Sequence, residues 1–284
     1  MAGAKGLIIA SDSVTRDEWK LFIEAQGASE RFPGIQGVGL SGIIYGKDNL
    51  AIHLEQIRSK GFSEYNVWPE GDRNEYHPVV YLEPFNDRNQ RAFGYDMFSE
   101  PIRREAMESA RSSGLPILSG KITLVQETDD DIQSGFLIYF PLYDSKKPLQ
   151  TTEDRINAFQ GFVYAPFRMN DFMTDILSET TQDITFKIYD GDINSQNILY
   201  DYAKANEIDR SINDSFTKTI TLTVDQRLWT IEFSAFNSLH ENNKFYTIPL
   251  ILVVGFSLSF TLFLYFVLIT KYSYSRNNQS KKKK

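Results

Sequence analysis

The 284-residue sequence contains no cysteine and only three histidines. The first absence excludes disulfide bonds and thiolate metal sites. The histidines, His53, His77 and His240, are too far apart along the chain to show a metal-ligand spacing. We therefore expect no bound metal, and the sequence gives no reason to expect a cofactor.

Motifs that carry catalysis or nucleotide binding are also missing. No serine lies in a nucleophile elbow, and the glycines of GIQGVG lack the order and spacing of a dinucleotide fingerprint. The acidic segment TDDDIQS is typical of an exposed hairpin tip, with a weak calcium site as the alternative. The chain is not expected to be an enzyme.

One uncharged hydrophobic run, residues 245–270, is long enough to cross a membrane as a helix. A buried core helix is the alternative. Six cations and no acid follow it, so the positive-inside rule places residues 271–284 in the cytoplasm and the preceding domain outside. Nothing resembles a signal peptide, so we expect the sequence to begin just after an upstream membrane helix. The expected location is the cell membrane, with a single pass in this chain.

The net charge of the chain indicates which classes of partner it can bind. The whole chain carries −7, and without the six positive charges of the tail the remainder carries −13. An acidic extracytoplasmic domain argues against nucleic acid as a partner. The four terminal lysines, Lys281 to Lys284, suit anionic lipid headgroups of the bilayer, although an appended solubility tail would look the same.

Helical and strand patterns alternate irregularly before the hydrophobic run. Thr15 and Glu18 form a capping box before a helix with an apolar stripe that includes Trp19. Another helix is predicted from the N-cap Ser99 to Gly114, and no capping argument requires Asp96 upstream of it. The strand-like runs are HPVVYLEPF, PILSGKITLVQE, GFLIYFPLY, AFQGFVYAPF, DITFKIYDG, NILYDY, FTKTITLTV and RLWTIEFSAF. Their order predicts an α+β fold with antiparallel sheets in two consecutive units.

Five segments in this order resemble the CHASE domain, the extracellular sensory module of cytokinin-receptor and microbial histidine kinases and of cyclases. They are SDSVTRDEW, RFPGIQGVGL, GYDMFSEPIRREAMESARSSGLPILSGKI, GFLIYFPLY and RLWTIEFSAF. The resemblance implies a stalk helix, two PAS-like units and a membrane helix. We place the stalk at 1–30, the distal unit at 31–167, a connecting helix at 168–182, the proximal unit at 183–240, and the membrane helix and tail as above.

Asp96 matches the aspartate that holds an adenine derivative in the cytokinin receptors. The resemblance therefore implies that Asp96 anchors a ligand, whereas the sequence alone also allows an ordinary turn residue. Alternation along the neighbouring strands gives four candidate wall residues, with plain core packing as the other explanation. They are Ile122, Leu124, Leu137 and Tyr139. Tyr139 departs from the small threonine of the cytokinin receptors, so the ligand, purine-like or otherwise, stays open.

The sequence thus predicts an extracytoplasmic sensory domain that binds a small molecule in the distal unit and signals through the membrane helix. Only fourteen residues follow the hydrophobic run, so the output domain would belong to a longer receptor or to a partner. We expect a homodimer formed through an exposed aromatic stripe of the N-terminal helix. The alternative is a membrane-tethered interaction module whose pocket is filled, with Tyr139 as the plug.

Overall fold

The computed structural model describes residues 1–27, 34–128, 132–177, 184–208 and 212–236. The predicted membrane helix at 245–270 and the basic tail lie outside these ranges. Within the described ranges, none of the helices combines the length and the apolar character needed to span a bilayer. Residues Met1–Ala235 form one compact unit.

Eight helices and two 3-10 turns are found in the described residues. The helices are α1 (Ala2–Ala10), α2 (Arg16–Gln26), α3 (Gly46–Ser59), α4 (Asp87–Gln90), α5 (Pro101–Ser113), α6 (Thr152–Ala158), α7 (Met169–Ile176) and α8 (Tyr202–Ala205). The 3-10 turns are Met97–Ser99 and Ser195–Asn197.

Twelve strands are found in the same residues. They are β1 (Val38–Gly42), β2 (Ile44–Tyr45), β3 (Glu75–Tyr76), β4 (Tyr81–Glu83), β5 (Ile117–Leu118), β6 (Ile122–Thr123), β7 (Ser134–Tyr143), β8 (Phe159–Arg168), β9 (Ile184–Asp190), β10 (Ile198–Asp201), β11 (Ile212–Val224) and β12 (Arg227–Phe236).

The strands form two main sheets. The first has the order β4-β1-β8-β7-β5, with β6 also paired to β7, and the second has the order β10-β9-β12-β11. Pairings within the first sheet are antiparallel, as are those of β9 with β10 and β12. A two-stranded ribbon of β2 and β3 stands apart. The predicted α+β fold with antiparallel sheets is therefore confirmed.

Alternation along β7 and β8 places apolar side chains on both faces of the first sheet. Leu137 and Tyr139 face a core shared with α5, whereas Leu142 and Val163 face a core shared with α1 and α2. Both faces of this sheet are therefore covered by helices, which explains why its two longest strands are almost continuously buried.

The aromatic stripe of the N-terminal helix faces the sheet. Trp19 is fully buried, and its indole N–H donates to the carbonyl of Val38 at 3.3 Å. The prediction that this stripe is exposed was wrong, because the apolar face of α2 covers the first sheet of the same chain. The stripe is therefore already covered and gives no support to the expected homodimer.

PILSGKITLVQE was predicted as one strand, but the structure divides it. β5 and β6 are two residues each, separated by Ser119, Gly120 and Lys121. The Ser119 hydroxyl accepts the hydrogen bond of the Leu137 amide at 2.9 Å, which replaces a regular ladder bond. Gly120 lies so close to Ile102 and Arg227 that a side chain there would collide with both.

Candidate functional site

Asp96 lies in the segment between α4 and α5 and has no exposed surface. Its Oδ1 accepts hydrogen bonds from the backbone N–H groups of His77 at 2.8 Å and Phe98 at 3.1 Å. The second bond caps the 3-10 turn Met97–Ser99. Capping therefore does use Asp96, contrary to the sequence prediction, because a 3-10 turn precedes α5.

The N-cap of α5 also differs from the prediction. Glu100 caps the helix, with its carboxylate accepting from the amides of Ile102 at 3.0 Å and Arg103 at 2.9 Å. Ser99 instead closes the 3-10 turn, and its hydroxyl donates to the Asp96 carbonyl at 2.6 Å. Asp96 and Glu100 thus fix two successive turns at the start of this helix.

The other carboxylate oxygen of Asp96, Oδ2, takes no part in fixing these turns. Asp96 Oδ2 lies 3.3 Å from Arg73 Nη1, yet neither atom has a hydrogen-bond partner among the described residues. Burial raises the pKa of Asp96, while the amide of His77, Arg73, the amide of Phe98 and Arg104 act against the rise. A buried carboxylate oxygen without a donor can accept one from a ligand.

Arg73 belongs to a loop that folds over Asp96. Its Nη2 donates to the Pro69 carbonyl at 2.7 Å, and its amide donates to the hydroxyl of Tyr76 at 2.9 Å. The same hydroxyl donates to the Gly71 carbonyl at 3.0 Å. Tyr76 therefore holds residues 71–74 as a compact loop that leads into β3.

A cavity of about 400 Å³ opens between this loop and the start of α5. Its lining residues are Asp72, Arg73, Asn74, Glu75, Phe98, Ser99 and Arg104. Asp96 is not among them, but its Oδ2 lies 3.3 Å from Nη1 of Arg73, which does line the cavity. The volume falls within the range of small-molecule sites.

His77 lies on the inner side of Asp96. Its ring is fully buried near Phe98, Phe159 and Phe162, with centroid distances of 5.0, 5.9 and 5.5 Å. Neither ring nitrogen has a hydrogen-bond partner among the described residues. Burial, with a smaller contribution from Arg111, lowers the pKa of His77 to about 3, so the ring is neutral at physiological pH.

The four predicted wall residues lie together, but in the core of the first sheet. Ile122, Leu124, Leu137 and Tyr139 are all buried and belong to one apolar cluster with Met97 and Met107. The Tyr139 hydroxyl reaches Met97 Sδ at 3.9 Å. None of the four lines the cavity beside Asp96. Contact between these residues and a ligand stays a prediction.

Sequence reasoning missed Arg73, Phe98 and Arg104. Phe98 and Arg104 flank the predicted helix start, and their nearness to Asp96 in sequence was a usable signal. Arg73 is 23 positions upstream, and nothing in the sequence pattern indicates that its loop covers Asp96. Among the described residues, no group of three or more His, Cys, Asp or Glu side chains is placed to hold a metal ion.

The chain resembles part of a known signal transduction protein. It is 25% identical over 131 residues to the hybrid signal transduction histidine kinase A of Dictyostelium discoideum, a match that covers 45% of this chain and 6% of that protein. The chain therefore corresponds to a small part of this relative.

Two solved structures are similar at low identity. One is the periplasmic sensory domain of the Campylobacter jejuni chemoreceptor Tlp1, with 10% identity, a TM-score of 0.45, and coverage of 84% of this chain and 86% of that one. The other is the ligand-binding domain of the Pseudomonas aeruginosa PAO1 amino-acid chemoreceptor PctB, with 8% identity, a TM-score of 0.42, and coverage of 85% and 86%.

The CHASE domain family model matches residues 12–200, which is more than half of the chain and includes Asp96, the Arg73 loop and the whole first sheet. The chain belongs to the CHASE domain family.

Proposed function

We propose that this chain is the extracytoplasmic sensory domain of a membrane receptor and that it binds a small molecule in the cavity beside Asp96. The chain itself has a binding role and no catalytic one. Family membership supports the sensory role, and the geometry around Asp96 supports the position of the site.

A single observation carries the proposal. The buried carboxylate of Asp96 uses Oδ1 to fix the local backbone and leaves Oδ2 without a hydrogen bond, next to a cavity of ligand size. Buried polar atoms without partners are rare in folded proteins because each one costs free energy. A ligand N–H group that reached Oδ2 would remove this cost and so bind with a favourable hydrogen bond.

Binding would shift the position of the Arg73 loop. Arg73 stands between the cavity and Asp96, so a ligand that bonds to Oδ2 must displace this guanidinium. A ligand favours whichever loop arrangement it contacts better, which is a population shift. Glu75 of β3, directly after the loop, is bonded to Arg111 of α5 at 3.0 Å, so loop movement is connected to that helix.

The signal would leave through the second sheet. β12 ends at Phe236, shortly before the hydrophobic run that we propose as the membrane helix. The relative from Dictyostelium is a signal transduction histidine kinase by name. We therefore propose a cytoplasmic output of the two-component type, supplied by another part of a longer receptor or by a partner.

Thermal melting of the full chain with a panel of purines and other small nitrogen heterocycles tests the site. We expect at least one compound to raise the melting temperature of the parent protein and to have no effect on Asp96→Asn. This variant keeps an oxygen for the His77 and Phe98 amides and removes the negative charge. Asp171→Asn, which removes a carboxylate outside the cavity lining, serves as the matched control.

A compound that stabilises the parent and Asp96→Asn equally would contradict the role of Asp96. An absence of stabilisation across the panel would favour the second candidate function, a protein-interaction module. The packing of Tyr139 supports that alternative, because its fully buried ring fills the space next to Phe162 and Tyr164.

A further inference from the structure

Two arginines and two acidic residues line the cavity beside Asp96, and both acidic residues are paired with cations from outside the lining. We propose that it binds an anionic small molecule, one that carries a carboxylate or phosphate group on a flat, partly apolar body, and that Arg104 holds the anionic group. This inference rests on the proposed function, since it takes the same cavity as the binding site and specifies the chemistry of its occupant.

Both acidic side chains that line the cavity already have a cation of their own. Lys47 Nζ lies 2.5 Å from Asp72, and Arg111 Nη1 donates to both oxygens of Glu75 at 3.1 and 3.0 Å. The Glu75 carboxylate is therefore held in a largely buried pair, whereas the pair of Asp72 with Lys47 is exposed to solvent and only weakly held.

Arg104 is the exception among the charged residues of the lining. Its half-buried guanidinium forms no ion pair and no side-chain hydrogen bond with any described residue, and it lies over the Phe98 ring with 5.6 Å to the centroid. Arg73 also faces the cavity, and its contact with Asp96 lacks a hydrogen bond. Two guanidinium groups with unused donors thus point to a planar anion, because guanidinium matches carboxylate and phosphate in a two-point geometry.

A neutral ligand would fit the site less well. Filling the cavity would remove water from Arg104, and a desolvated cation without an anion is costly. An anionic ligand supplies the missing partner. Phe98 provides an aromatic surface beside Arg104, and Asn74 and Ser99 provide further polar groups for orientation.

An anion would also help to expose Asp96. Because Arg73 touches Asp96 Oδ2 only as an ion pair at 3.3 Å, an anion in the cavity competes with this carboxylate for the same guanidinium. Movement of Arg73 toward the anion would free Oδ2 for an N–H donor elsewhere on the ligand. The preferred occupant therefore has an anionic group and a hydrogen-bond donor some distance away.

Matched pairs of probes test this inference. Adenosine is compared with adenosine 5′-monophosphate, and benzamide with benzoate, while inorganic phosphate controls for the anion alone. Dissociation constants are measured by titration calorimetry on the full chain, on Arg104→Gln and on Lys60→Gln. Lys60→Gln removes one exposed positive charge outside the cavity lining.

We expect the anionic member of at least one pair to bind about tenfold or more tightly than its neutral partner. Arg104→Gln should reduce this preference to about threefold or less, and Lys60→Gln should leave it unchanged. Equal affinity of both members, or a preference that survives Arg104→Gln, would overturn the inference.

The two proposals fail in different ways. If neutral compounds bind and Asp96→Asn abolishes their binding, the site stands and the preference for anions is wrong. If no probe of either charge binds and none of the heterocycle panel stabilises the protein, both proposals are wrong. Circular dichroism and the melting temperature without ligand show that each variant is folded.

Discussion

Asp96 and His77 are two buried ionisable residues whose pKa values are shifted in opposite directions. The two shifts therefore have opposite effects on stability at acidic pH. The His77 amide donates to Asp96, and the His77 ring packs among aromatic side chains without a hydrogen bond to either nitrogen. Burial favours the neutral form of both groups, so it raises the pKa of Asp96 and lowers that of His77. Each residue therefore makes stability depend on pH in a predictable direction.

Acidification should destabilise the protein through His77. In the unfolded chain this histidine takes up a proton below about pH 6.5, whereas the folded form stays neutral down to about 3. The stability it contributes is complete above about pH 6.5 and is lost as the pH falls toward 3. In urea unfolding, the loss of stability between pH 7 and pH 5 should be larger in the parent than in His77→Leu, by up to about 2 kcal/mol.

Two comparisons sharpen this prediction. His53 also has a pKa lowered by burial, to about 4, so the His77→Leu variant should retain part of the acid sensitivity. Asp96→Asn should change the pH dependence in the opposite sense, because a raised folded pKa stabilises the native state as the pH falls through it. Identical pH profiles for the parent and His77→Leu would show that the imidazole is hydrated or paired when folded.

Besides the buried Trp19, α2 is held by Arg16, whose guanidinium lies among aromatic rings. The Arg16 guanidinium lies within 4.7 to 5.2 Å of the ring centroids of Phe62, Tyr81, Phe85 and Phe93. Its Nη2 also donates to the Val80 carbonyl at 2.6 Å. A guanidinium in contact with several rings is weakly hydrated and well suited to such a site.

Loss of Arg16 should weaken the attachment of α2. We expect Arg16→Ala to lower the free energy of unfolding by about 2 kcal/mol or more, since both the ring contacts and a charged hydrogen bond disappear. Lys20→Ala, on the same helix, should cost less than about 0.5 kcal/mol because its pair with Glu24 is exposed and 3.9 Å long. Urea denaturation measures both, and equal effects would contradict a special role for Arg16.

Local signals predicted α2, α5 and the long strands, whereas no sequence pattern predicted α1, α4, α6 or α8. The capping box of Thr15 and Glu18 is present, and β7, β8, β9 and β12 follow their predicted segments because alternation along a strand is a local property. The burial of Trp19 on the first sheet depends on residues distant in the sequence. The same is true of the interruption between β5 and β6 at Gly120. Arg73 was missed for the same reason, since a loop position over Asp96 is set by tertiary contacts.

The two sheets are joined through the carboxylate of Asp190, at the end of β9. Oδ2 accepts from the Lys121 amide of the first sheet at 2.7 Å and from Arg227 Nη2 of β12 at 2.8 Å. Nearby, the ring of Phe136 meets that of Trp229 at 5.6 Å. The path from the cavity to β12 can therefore run along α5, past Gly120, to Arg227.

Removing this carboxylate charge should weaken the connection between the two sheets. We expect Asp190→Asn to lower the free energy of unfolding by about 3 kcal/mol, because Arg227 loses its anion in a partly buried place. In a background with Trp19→Phe and Trp68→Phe, which leaves Trp229 as the fluorophore, fluorescence and circular dichroism should then report different midpoints in urea, whereas they should coincide when Asp190 is kept. Asp201→Asn breaks a pair with Lys187 inside the second sheet and should keep the midpoints together.

The position of the ligand is tested most directly by hydrogen exchange of backbone amides in the full chain, with and without the compound that stabilises it most. We predict protection of residues 69–77 and 97–104, which surround the cavity beside Asp96, and no change at 135–140 in β7. Protection confined to β7 and the segment around Ile122 and Leu124, with none near Arg73, would contradict the proposed site.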